Sequence, residues 1–121
     1  MRYILLLYQD ETGFWFRLSD AERAAEGARY EAFARALGEV GQLVAAERFE
    51  PYYTARTVRR AGDRPAVGEG AYADTPEQLG GTFIIEVADE EEALAWAARC
   101  PTFGHGVVEI RRLWQPPAAP P

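Results

Sequence analysis

Arg2-Tyr-Ile-Leu-Leu-Leu-Tyr-Gln9 is the stretch that decides the fold, because it is apolar at both alternating positions. Successive side chains of a strand point to opposite faces, so a strand solvated on one face alternates apolar with polar. One that does not alternate is an interior strand covered on both sides. Gly81-Thr-Phe-Ile-Ile-Glu-Val87 repeats the message: Phe83, Ile84 and Ile85 run together in a segment rich in β-branched and aromatic residues.

Outward from these two strands the pattern changes period. After a loop holding Asp10, Gly13, Phe14, Trp15 and Phe16, Ser19-Asp-Ala-Glu22 fits a capping box. The helix it opens carries Tyr30, Phe33, Ala34 and Leu37 on one stripe and ends near Gly38 or Gly41. Gln42 to Phe49 reads as a strand. Thr54 to Arg60 and Pro65 to Val67 flank the turn Ala61-Gly-Asp-Arg64, an inserted hairpin. Asp89 caps a second helix with Glu90, Glu91 and Glu92 in its first turn, where carboxylates suit the helix dipole. Ala93, Trp96, Ala97 and Cys100 form its buried stripe, Pro101 helps to stop it, and Gly106 to Trp114 is the last strand.

The order β-α-β-(hairpin)-β-α-β predicts an α+β domain of ferredoxin-like βαββαβ type, an antiparallel four-stranded sheet with both helices on one face. The domain is expected over residues 1–115. Residues 116–121, Pro-Pro-Ala-Ala-Pro-Pro, are expected to form a disordered extended tail. The helices cover one face only, so the second apolar face calls for a partner, and a second copy of the chain is the simplest one.

Composition narrows the function. A chain of 121 residues with 48% hydrophobic and 26% charged residues is an ordinary globular domain. Its net charge of -6, with 19 acidic against 13 basic residues, argues against nucleic-acid binding. The apolar run Ile4 to Tyr8 is too short to span a bilayer and lacks the flanks of a signal peptide, so no membrane partner is expected. A single cysteine, Cys100, points to a reducing, cytoplasmic setting. One histidine and one cysteine cannot build a Cys/His zinc site, and no glycine-rich phosphate loop follows a strand. Neither metal nor organic cofactor is therefore expected.

Three places carry candidate chemistry. In Glu69-Gly-Ala-Tyr-Ala-Asp-Thr-Pro-Glu-Gln-Leu-Gly-Gly81, Thr75, Pro76, Gln78 and Gly80 read as a capped helical turn, whereas Glu69, Tyr72 and Asp74 have no such duty and are either a solvated loop or a pocket rim. The sole histidine, His105, lies between two glycines and is a natural general acid or base, or else an exposed loop residue. Glu109 and Arg111 share one strand face, as a substrate grip or as a plain ion pair, and Glu86 raises the same question on its own strand. Cys100, at a helix C-terminus, is expected to be a small buried apolar group.

Taken together these segments resemble the YCII-related family and its DGPF branch. The resemblance runs from the opening strand through Ala73-Asp-Thr-Pro-Glu-Gln-Leu-Gly-Gly81, Glu92-Ala-Leu-Ala-Trp-Ala-Ala-Arg-Cys-Pro101 and Val108-Glu-Ile-Arg111. It implies a dimeric α+β barrel, and relatives that dehydrochlorinate aromatic compounds or are encoded beside extracytoplasmic-function sigma factors. The branch signature Asp-Gly-Pro-Phe reads Glu69-Gly-Ala-Tyr72 here, and no histidine precedes His105. The His/Asp pair of shorter members therefore has no counterpart at matching positions. The leading expectation is a cofactor-free acid/base enzyme, lyase or isomerase, acting on a small anionic or aromatic metabolite in a dimer cavity. Glu69 would be the base, Tyr72 or His105 the donor, and Arg111 the orienting group, with Glu109 and Asp74 beside the substrate. The alternatives are a non-catalytic ligand-binding or regulatory module associated with a sigma factor, and a structural subunit with a filled cavity.

Overall fold

A computed structural model describes residues 1–117. Its elements follow in the order β1 (Arg2–Gln9), α1 (Asp20–Glu39), β2 (Leu43–Arg48), β3 (Arg56–Ala61), β4 (Arg64–Glu69), β5 (Gln78–Glu86), α2 (Glu90–Arg99) and β6 (Val107–Arg112). Four strands form one antiparallel sheet in the order β2-β5-β1-β6, which places both non-alternating strands in the interior.

Capping fixes both helices where the sequence placed them. The Glu22 amide donates to Ser19 Oγ at 3.1 Å, and the Ser19 amide donates to Glu22 Oε1 at 2.9 Å. At the far end Gly41 takes φ +70°, Gln42 N–H reaches Leu37 O at 2.9 Å and Gly41 N–H reaches Gly38 O at 3.0 Å. This paired closure satisfies carbonyls the helix leaves free, and it needs glycine at the left-handed position. Asp89 caps α2 by accepting from Glu92 N at 2.9 Å.

The core lies between the helices and one sheet face. Tyr3, Leu5 and Leu7 of β1 and Phe83, Ile85 and then Val87 along β5 pack with Phe33 and Leu37 of α1 and Ala93, Trp96, Ala97 and Cys100 of α2. Phe33 sits edge-on to both Phe83 and Trp96, and the Trp96 indole donates to Gln42 Oε1 at 2.8 Å, so this buried ring carries no orphan polar atom. The opposite face holds Ile4, Leu6, Tyr8, Thr82 and Ile84, all partly exposed. Leu6 lies across from Glu109, and Ile4 across from Arg111.

The hairpin forms as expected but stands apart. Strands β3 and β4 make their own two-stranded sheet, closed by the pair Ala61 and Arg64 around Gly62 at φ +62°. Directly opposed Val58 and Val67 remain 63% and 67% exposed. Thr75 to Gly80 departs from expectation, since no helical turn forms there. Gln78 already begins β5, and its buried side-chain amide donates to Ala73 O and Thr75 O, both at 2.8 Å. Backbone pairing to Gln9 claims the residue that the capping reading would have kept in a turn. Pro116 and Pro117 are exposed without regular structure, and the rest of the expected tail, 118–121, lies outside the described residues. Among the described residues no helix is long and apolar enough to cross a membrane.

Candidate functional site

Glycine shapes an apolar cavity between the sheet and α1. On the helix-facing side of the sheet, Arg48 of β2 and Leu7 of β1 are both paired with Gly81 of β5, so the central position of that row carries no side chain. Across the gap, Gly27 interrupts the middle of α1. The result is a cavity of about 320 Å³ bounded by Gly27, Gly80 and Gly81 and floored by Leu7 and Phe83, with the small side chains of Ala34 and Ala46 among its walls. Gly81 has a packing reason as well, because a Cβ there would stand 2.8 Å from Glu47 O. Gly27 has none: a Cβ built on it meets nothing within 4 Å. A mid-helix glycine costs about 1 kcal/mol relative to alanine, and here that cost keeps a space open.

Polar groups converge on this space. Tyr30, four residues beyond Glu26 on α1, reaches Thr102, and their hydroxyls lie 2.5 Å apart. Thr102 is held rigidly in the turn Pro101–Gly104: it is 1% exposed, and its carbonyl accepts from His105 N at 3.1 Å and Gly106 N at 2.7 Å. Gly106 is obligatory there, since a Cβ would stand 2.2 Å from Tyr8 O. Burial pushes the Tyr30 phenol up to about 12, against the opposing pull of the Thr102 hydrogen bond and the Arg48 charge, so it stays a protonated hydrogen-bond partner at neutral pH. Gln9 adds an amide, and Trp15, Arg48, Glu31 and Glu47 complete the lining.

The residues singled out from the sequence are divided among five other places. Glu69 and Asp74 line a separate cleft of about 590 Å³ with Asp10, Glu11, Tyr52 and Tyr53. Glu11 is buried there and accepts from Tyr52 N at 3.1 Å, which ties the β1–α1 loop to the approach of the hairpin. Tyr72 is 74% exposed beneath the Arg59 guanidinium. Glu109 and Arg111 form an ion pair at 3.3 Å on the sheet face away from the helices. Glu86 pairs with the N-terminal amine at 3.4 Å and with Arg2 at 3.9 Å. Within one chain, then, Glu69 and Tyr72 do not meet His105 or Arg111. The free-standing hairpin keeps the first two apart from β6 at the sheet's far edge.

His105 is neither exposed nor alone. It stacks on Phe14 with ring centroids 3.8 Å apart, and Nε2 lies 3.4 Å from Oε2 of Glu26, itself 6% exposed. The other Glu26 oxygen receives Arg29. Burial lowers the His105 pKa, the Glu26 carboxylate raises it, and burial prevails, so the imidazole is neutral at pH 7. The partner was invisible in the sequence because Glu26 sits among several exposed acids of α1. Burial likewise raises the Cys100 thiol, which packs as an inert apolar group.

Sequence reasoning missed the cavity itself. Gly27 was the available signal, an isolated glycine inside a helical pattern with no capping role. Gly80 reads as a turn residue and Gly81 as the start of a strand, although glycine within a strand also marks an opening or a close backbone approach. Among the described residues no three His, Cys, Asp or Glu side chains are grouped to hold a metal ion.

Known proteins bear on this architecture in three ways. A solved structure of 5-chloro-2-hydroxyhydroquinone dehydrochlorinase from Burkholderia phenoliruptrix, in complex with 2,5-dihydroxybenzoquinone, superposes with a TM-score of 0.54 over 95% of this chain and 94% of that one. At 14% identity the likeness is one of fold. An uncharacterised protein of Rhizobium meliloti is 35% identical over 99 residues, 80% of this chain and 77% of its own length. The sequence profile of the YCII-related domain matches residues 1–116, and the chain belongs to that family.

Proposed function

We propose that this protein is an acid/base enzyme of lyase or isomerase type that needs no cofactor and acts on a small aromatic or anionic metabolite held in the glycine-walled cavity. The observation that carries the reading is Gly27: a stable helix gives up propensity at a position lining the space, where an added Cβ would meet nothing within 4 Å. The volume lies at the small end of ligand pockets, and apolar walls with a few convergent polar groups are their usual make-up. A planar ring fits such a slot. The dehydrochlorinase that shares this fold is complexed with one.

In this reading the Tyr30–Thr102 pair and Gln9 hydrogen-bond an oxygen on which charge develops. Glu31, four residues beyond Gly27 on α1 and lining the same cavity, takes the proton. The working unit is a homodimer in which a second copy covers Ile4, Leu6 and Ile84, because a contiguous apolar sheet face is costly to leave in water.

Backbone-amide NMR during titration with 2,5-dihydroxybenzoquinone tests the assignment. Shifts centred on Gly27, Gly80, Gly81 and Thr102 support it. Shifts confined to Glu69–Asp74 or to the opposite sheet face, or no shifts at saturating probe, overturn it.

A further inference from the structure

Resting on the reading of that cavity as the substrate site, we infer that Arg48 selects the ligand's charge: the aromatic substrate carries a carboxylate, gripped by this guanidinium at the cavity mouth. Four observations point there.

The first is position. Arg48 ends β2 on the helix-facing side, opposite Gly81, so no neighbouring side chain on β5 blocks it from the opening. It lines both the cavity and an adjoining cleft of about 440 Å³, and Gln9, Trp15 and Gly80 are the other residues common to the two. The guanidinium thus stands where an inner compartment meets an outer one.

The second is that the guanidinium is held. Arg48 lies over the Trp15 ring, 4.8 Å from its centroid, a contact that fixes a cation without using up its N–H donors. Trp15 is itself anchored: the Arg23 side chain donates from Nε to Trp15 O and from Nη2 to Phe16 O, both at 3.1 Å, and Arg23 also pairs with Asp20 at 3.7 Å. One arginine pins the turn; the other is presented by it.

The third is vacancy of function. Among the described residues the Arg48 guanidinium has no carboxylate within 4 Å and no hydrogen-bond acceptor, although Glu31 and Glu47 line the same cavity. Arginine's planar fork matches a carboxylate bidentately, and charge-assisted pairs of this kind are the strong ones. The fourth is the global field. A chain of net charge -6 repels anions at long range, so a site for one needs a dedicated local cation.

The arrangement implies a bipartite ligand, with a ring in the glycine-walled slot near Tyr30 and a carboxylate directed outward between Trp15 and Arg48. The experiment compares 2,5-dihydroxybenzoate with hydroquinone, the same dihydroxylated ring with and without the carboxylate, by calorimetric titration of the wild type, Arg48→Gln and Arg48→Lys. Wild type is expected to favour the carboxylate by about tenfold or more. That ratio should collapse toward unity in Arg48→Gln, recover partly in Arg48→Lys, and shrink with added salt in the wild type. Equal affinity of wild type for the two probes, or a ratio untouched by Arg48→Gln, overturns the inference and leaves the cavity assignment standing. Failure of both probes to bind any of the three proteins overturns the cavity assignment and this inference with it. Arg48 is exposed on an edge strand, and a circular-dichroism melt of each variant confirms that the comparison is made between folded proteins.

Discussion

Replacing Gly27 by alanine should make this protein more stable, and replacing it by leucine should abolish ligand binding while leaving it folded. Alanine exceeds glycine in a helix interior by about 0.8–1.0 kcal/mol, since glycine surrenders the most backbone freedom on folding. Nothing within 4 Å meets the added Cβ, so no steric term offsets that gain. Unfolding entropy near 60 °C is about 2.1 cal/mol/K per residue. For 121 residues that is roughly 250 cal/mol/K, so about 1 kcal/mol raises Tm by about 4 °C. Urea unfolding followed by circular dichroism measures the first quantity and scanning calorimetry the second. Leucine also restores helix propensity, but its side chain grows into the cavity between Leu7, Phe83 and Ala34. Titration of Gly27→Leu with 2,5-dihydroxybenzoquinone should then show no saturable binding. Two results would refute the reasoning. A loss of stability in Gly27→Ala would mean that the space beside Gly27 is not open in solution. Wild-type binding by a folded Gly27→Leu would mean that the cavity is not where the ligand sits.

Further tests address other parts of the molecule. His105 has a folded pKa below its ordinary 6.5, so the unfolded chain binds the proton more readily. Its stabilising contribution is complete above 6.5 and declines as pH falls through the lowered folded value; His105→Asn should flatten that part of a stability–pH curve, and an unchanged slope would show that burial of the ring is not what governs it. Glu69→Gln separates the two clefts: a preserved ligand-induced thermal shift keeps the chemistry in the glycine-walled cavity, and its loss moves the site to the cleft shared with Asp74. Tyr30→Phe removes one hydrogen bond beside Thr102 and should weaken ligand binding by about 0.5–1.5 kcal/mol, read as a rise in Kd. Sedimentation at micromolar concentration should show a dimer, and Leu6→Arg, which puts a charge on the sheet face away from the helices, should shift it toward monomer; a wild-type monomer would remove the basis for the covered face.

Local chemistry made much of the fold legible. The capping box and terminal glycine of α1, and the Asp89 cap and Pro101 stop of α2, fixed both helices to within a residue or two, because a cap is an interaction between residues three or four apart. Non-alternating apolar strands identified β1 and β5 as interior for the same reason, since side-chain parity is a property of the strand alone. The segment from Thr75 to Gly80 went astray where two local rules competed. Its capping signals were real, but pairing of Gln78 with Gln9, a partner far away in sequence, decided the outcome.

The site was harder to read, and the reason is physical. A cavity is made of what is missing, and a missing side chain at Gly27 acquires meaning only when Gly81 stands across from it. The sequence by itself determined the element order, the two helical stripes, the hairpin and the absence of a Cys/His metal set, all of which follow from short-range pattern and composition. Tertiary structure alone decided that Glu26 lies against His105, that Tyr30 meets Thr102 from 72 positions away, and that Trp15 presents Arg48 at a cavity mouth. Those pairs depend on which faces of α1 and the sheet come together, and no rule of local spacing carries that information.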